Sequence, residues 1–199
     1  MKPTYFQRFF NFCVSLFLTA VLSILCTVIL GFMVSYLQNI TYLTLISRFI
    51  SMIFLVSLSL SLISLIIFIL FISHEIKKRQ EEDNLSNLWK SIKQTLAIRI
   101  FLHQSERSEV ITTTEQAKMK QYNPVNKCFN KAVRQSVIEV REDAVILMIR
   151  FPKTQQAKKI LNDMDTMIIE EVARYNPDYF FSPHKPDKKW LYIIGNKRQ

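Results

Sequence analysis

Glycine is nearly missing from this sequence: Gly31 and Gly195 are the only two in 199 residues. Loops that wrap a backbone around phosphates need several glycines at fixed spacing, so Walker-type and dinucleotide-binding fingerprints are excluded. Most nucleotide-hydrolysing and hydride-transferring enzymes go with them. Cysteine is scarce too: Cys13, Cys26 and Cys128 are too few and too scattered for a disulfide framework or a paired-cysteine metal knuckle. The histidines, His74, His103 and His184, have no metal-ligand spacing. No metal site or cofactor is expected.

Charge is absent where it matters most. No Asp, Glu, Lys, Arg or His lies between Arg8 and Arg48, nor from Phe49 to Ser73. A membrane-crossing helix needs about 20 mostly apolar residues, and both runs supply them. We read transmembrane helices over residues 10–36 and 49–72. The first run is more than twice the length of a leader's apolar segment, so retention rather than cleavage is expected. Lys2 and Arg8 precede the first span, Lys77, Lys78 and Arg79 follow the second, and the loop between is uncharged up to Arg48. The positive-inside bias then places both termini in the cytoplasm of a plasma (inner) membrane, with the Lys77–Arg79 cluster against anionic headgroups.

Ser15, Thr19, Ser23, Thr27, Gly31 and Ser35 fall at consecutive four-residue steps in the first span. Small residues at this spacing let helix backbones approach closely. The stripe predicts packing within the hairpin and between copies, hence a homo-oligomer in the lipid bilayer; a water-filled path along the hydroxyls is the sharper alternative.

All 16 acidic residues and 23 of the 26 basic ones lie after His74. The chain therefore reads as a membrane region (1–74), a juxtamembrane helix and linker (75–112), and a charged domain (113–199). Residues 74–107 read as one helix continuing from the second span, with Leu85, Leu88, Trp89, Ile92, Leu96 and Ile100 along its apolar edge. Helical character is expected at 114–122 and 125–134, with Asn123-Pro124 between them. Strands follow at 136–140 and 144–151. The apolar Val145–Ile149 stretch belongs at the centre of a sheet. A helix is expected over 154–175, then strands at 179–181 and 189–194 around a polar loop, 182–187. The fold class is an α-helical transmembrane hairpin plus a small cytosolic α+β domain, helices followed by β-β-α-β-β.

Catalytic chemistry finds no support. Asp163 and Asp165 face different ways on a helix, Glu170-Glu171 are adjacent, and no Ser, Cys or Lys sits in a nucleophile's setting. We expect no enzyme. The basic residues offer more. Arg150, Lys153 and Lys158 flank the start of a helix, where anions are favoured. His184, Lys185, Lys188, Lys189, Trp190 and Tyr192 decorate the C-terminal hairpin. Lys and Arg contact phosphates while aromatic rings stack on bases. These nine residues are the candidate ligand site, and ordinary solvation or attraction to acidic lipid is the plainer account of the same charges.

Two spans at 10–36 and 49–72, followed by a basic domain after Asn123, resemble the two-transmembrane CRISPR-associated membrane effectors whose cytosolic domain senses a cyclic oligoadenylate. The resemblance is one of architecture. It implies an antiviral effector in which a cyclic oligonucleotide of the cyclic tetra-adenylate class binds the basic domain of an oligomer and perturbs the membrane. Two other readings stay open: a non-enzymatic interaction subunit of a bacterial secretion or conjugation complex, and a membrane-tethered nucleic-acid binder.

Overall fold

A computed structural model describes residues 3–38, 40–109, 120–182, 185–187 and 189–198. The chain divides into two compact units, Arg8–Lys78 and a second made of Met1–Gln7 with Arg79–Gln199.

The first unit is built from two helices, α1 (Tyr5–Leu37) and α2 (Thr44–Glu82), joined through a 3-10 turn at Thr41–Leu43. Both are long and apolar enough to cross a membrane. Their outward residues, such as Leu22, Phe32, Val56 and Leu70, are large, apolar and exposed. Only the middle of the small-residue stripe turns into the hairpin: Ser23 is buried and Thr27 and Gly31 are half-buried, whereas Ser15, Thr19 and Ser35 are exposed. Ala20 and Ser23 are buried, the Thr27 and Ser57 hydroxyls lie 2.8 Å apart, and Ser57 donates to the Ser23 carbonyl at 3.2 Å. Phe71 meets Phe9 and Phe12 at ring separations of 5.1 and 5.4 Å.

The second unit is a small α+β domain. Its elements after α2 are α3 (Leu85–Leu102), β1 (Arg107–Glu109), β2 (Lys120–Tyr122), α4 (Pro124–Val133), β3 (Val137–Val140), β4 (Ala144–Arg150), α5 (Gln155–Asp163), α6 (Asp165–Tyr175), β5 (Tyr179–Phe181), β6 (Lys185–Asp187) and β7 (Trp190–Lys197). An antiparallel sheet runs β3-β4-β7-β5, and β6 pairs with the other end of β7. As the run of apolar residues foretold, β4 is central. Alternation sends Val145, Leu147 and Ile149 to one face, where they join Leu191, Ile193, Ile138 and Val140 against Leu102, Phe129, Leu161, Ile168 and Val172 of the helices.

Several boundaries differ from expectation. The helix predicted over 74–107 is broken at Asp83–Asn84: Asn84 is extended and its side chain accepts the Ser86 amide, capping α3 as a separate helix. Ile98 and Leu102 of α3 are part of the domain's core. The helix expected over 154–175 is interrupted at Met164 (φ −91°, ψ 0°), although the buried face predicted for it persists through Ala157, Leu161, Ile168 and Val172. Residues 120–122, expected to be helical, form β2 and pair with β1 inside the supposed linker; the rest of that predicted helix lies outside the described residues. Residues 185–187 of the predicted polar loop form β6, and β7 extends to Lys197, three residues past its expected end.

Gly195 has a packing reason. A Cβ there would lie 2.6 Å from Phe181 Cε1 and 2.8 Å from its Cζ, because the ring of this neighbouring strand lies over the glycine. Gly195→Ala is expected to cost about 1–3 kcal/mol, the usual penalty for overpacking. Thermal unfolding by circular dichroism in detergent checks this, with Phe181→Leu in the same chain recovering part of the loss. An unchanged melting temperature contradicts the role given to the ring.

Candidate anion-binding end of the sheet

The sheet face opposite the main core is organised in cross-strand rows, because antiparallel register places paired residues on the same side. One row is Glu139–Ile146–Ile194, the next Val137–Met148–Tyr192, and the last Arg150–Trp190. Each row is two residues from the next, or about 7 Å along the strand.

The first row carries an internal ionic cluster. Glu139 has no exposed side-chain surface, and it accepts from Arg79 Nη2 at 3.2 Å and from Arg141 Nε at 2.8 Å. The Thr4 hydroxyl also donates to Glu139. Arg79, in the last turn of α2, is 1% exposed and donates further to Asp83 Oδ2 and to the Val140 carbonyl, both at 2.8 Å, with the Phe6 ring 5.4 Å away. Arg141 reaches Glu82 at 3.1 Å. Arg79 is therefore a structural cation and not, as its place in the Lys77–Arg79 run implied, a contact for headgroups.

The middle row is apolar and closed: Val137, Met148 and Tyr192 are each no more than 2% exposed. Tyr192, expected to offer a stacking face, is packed inside the sheet instead.

The last row is different. Arg150 and Trp190 are a register pair, half-buried, and the Phe151 amide donates to the Lys189 carbonyl at 2.9 Å, so Arg150, Lys189 and Trp190 come together at one end of β4 and β7. Arg150 donates to the Gln135 side chain. Lys153, Lys158 and Lys189 are exposed, and among the described residues none of the four cations is in an ion pair. Within β6, Lys185 stands opposite Tyr192 and Asp187 opposite Trp190. His184 and Lys188 lie outside the described residues.

The start of α5 was expected to favour an anion. Thr154 caps it, accepting the Ala157 amide at 3.3 Å. The neighbouring amides of Thr154 and Lys153 are turned to the Cys128 thiol. Burial alone pushes that thiol up, but these amides, the Thr154 hydroxyl and the Lys153 charge outweigh it, and its pKa falls below the ordinary value. The amides of Lys153, Thr154 and Ala157 are thus already engaged, and the cationic groups of this turn are Lys153 and Lys158.

Sequence reasoning missed Gln135, Cys128 and the Val137–Met148 layer. Strand alternation carried one usable signal: Arg150, Met148 and Ile146 are spaced by two and must share a face. No protein-family model, no curated protein and no solved structure matches the chain.

Proposed function

We propose that this chain is a membrane-anchored effector whose α+β domain, on the cytoplasmic side, binds a phosphate-rich ligand of the cyclic-oligonucleotide class at the Arg150–Trp190 row. Binding then acts on the membrane through an oligomer of the two spans. The observation that carries this reading is the contrast between the two ends of one sheet face. Charges around Glu139 are neutralised internally, whereas Arg150 and Lys189 lie without a described acidic partner beside a half-buried tryptophan, with Lys153 three residues along the chain from Arg150. Cations of this kind meet phosphates, and the indole gives a base a surface to stack on. The route onward is short. Only the closed Val137–Met148–Tyr192 row separates Arg150 from Glu139, which grips Arg79 at the end of α2.

The test is a titration of the full chain in detergent with cyclic tetra-adenylate, followed by thermal shift and calorimetry. Lys189→Ala and Lys153→Ala are expected to weaken binding about 10- to 100-fold each, as loss of a hydrogen bond to a charged group does, with the unliganded melting temperature unchanged because both side chains are exposed. Binding of linear RNA with a steep salt dependence would transfer the site to a nucleic-acid binder. No response to cyclic or linear oligonucleotides removes the ligand assignment.

A further inference from the structure

We propose that α3 docks on the bilayer surface through the face that points away from the sheet. At 3.6 residues per turn, Ser91, Gln94, Thr95, Ile98 and Leu102 share one side of α3, and they are its buried residues. Trp89, Leu96 and Ile100 fall on the diametrically opposite side, and they are 59%, 51% and 77% exposed. A helix that buries one face against its own domain and leaves large apolar groups on the other is built to be covered twice.

Charge identifies what covers it. From Asn84 to Ser105 there is no acidic residue. Lys90 and Lys93 are exposed along one flank of the stripe, Lys93 lies 5.4 Å from the Trp89 ring, and Arg99 on the other flank is turned to the Ser136 carbonyl. A second copy of the same helix would bring lysine to lysine with no carboxylate between them. An anionic leaflet instead complements both lysines, and tryptophan, leucine and isoleucine enter the boundary of headgroups and acyl chains, the combination that marks helices lying in the interface plane. The chain keeps α3 within reach of the bilayer, since α3 begins thirteen residues after residue 72, the last of the second span. Leu85 stands beside Glu82, Asp83 and Glu142, so the docking face is centred on Trp89 and the two turns after Leu96. The inference rests on α1 and α2 being membrane spans.

Trp190→Phe leaves Trp89 as the single tryptophan reporter. The full chain is reconstituted in vesicles of phosphatidylcholine with phosphatidylglycerol, floated, and compared in lipids brominated at different acyl depths. Flotation with strong quenching of Trp89, greatest for bromines about 5–10 Å below the headgroups, is expected, and Lys90→Glu with Lys93→Glu should reduce it. Trp89→Phe, which keeps Trp190 alone, should show little quenching. Flotation with Trp89 unquenched by bromolipid and open to iodide overturns the docking alone. Trp89 shielded from both quenchers, with crosslinking between copies at residue 96, assigns the face to a second copy and overturns it as well. A chain that fails to float removes the membrane reading and this inference with it.

Discussion

Replacing Arg79 by methionine is expected to lower the melting temperature of the domain on the order of 10–20 °C. The guanidinium is 1% exposed and holds together Asp83, Glu139 and the Val140 carbonyl. Methionine fills much of the volume but leaves Glu139, with no exposed surface, against Arg141 and Thr4 alone. Removing one member of a buried pair costs about 3–5 kcal/mol, because the surviving charge stays desolvated, and each kcal/mol moves the midpoint of a domain this size by roughly 3–5 °C. Circular-dichroism melts of the full chain in detergent measure it. Adding Glu139→Leu should restore much of the loss, since removing both partners leaves no stranded charge. A single variant within 1 kcal/mol of the parent, roughly the value of an exposed pair, would show the cluster to be solvated in practice. The acid limb should respond too. Burial pushes the Asp83 carboxyl up, but bonds from Asn87, the Asn84 amide and Arg79, with the Arg79 charge, outweigh it and hold its pKa low. Stability from Asp83 is therefore complete above the unfolded carboxylate pKa of about 3.9 and is lost as pH falls through the lower folded value. Arg79→Met raises that folded value and shrinks this pH-dependent share.

This cluster also explains what sequence reading reached and what it did not. The two long apolar helices were legible because each needs an unbroken apolar run, and no charged residue between Phe49 and Ser73 interrupts the second. Strand β4 was legible for the same reason, its apolar residues serving two covered faces. The boundaries were harder. Asp83-Asn84 lies in a charged segment whose composition suits a helix, and the break shows only through the Asn84 cap. Met164 keeps the apolar face in phase across the α5–α6 interruption, so periodicity gave no warning. In 182–187, proline and polar composition resembled a loop although β7 recruits part of it as a strand. The candidate site was half visible. Lys189, Arg150 and Trp190 meet because of register, whereas Tyr192 differs from Trp190 only in lying one row deeper. No local pattern predicts that Arg79 will find Glu139, 60 residues away.

The seam between α3 and β3 should prove as sensitive as the Arg79 cluster. Edge strands expose unpaired backbone groups that other chains can pair with, and here a helix side covers them. The Ser91 hydroxyl accepts the Val140 amide at 2.8 Å. The Thr95 hydroxyl accepts the Ile138 amide at 3.0 Å and donates to the Ile138 carbonyl at 3.2 Å, and Arg99 donates to the Ser136 carbonyl at 2.9 and 2.7 Å. The match is geometric. Four residues of helix rise about 6 Å, and two residues of strand advance about 6.7 Å, so every fourth side chain of α3 meets every second residue of β3. Burial lowers the Arg99 pKa to about 10, which still leaves it charged at neutral pH. Thr95→Val keeps shape and removes the hydroxyl, stranding both Ile138 groups; Ser91→Ala strands the Val140 amide, while the Val140 carbonyl keeps Arg79. At about 1–3 kcal/mol for each of the three buried groups left unpaired, the double variant is expected to lose about 3–9 kcal/mol. Thr95→Ser, which retains the hydroxyl, should lose about 1 kcal/mol or less. Melts in detergent give the totals, and amide exchange at Ile138 and Val140 gives the location, since those two should accelerate before the centre of β4 does. Equal stability of the valine and serine variants would mean that apolar packing, not the hydroxyls, seals this edge.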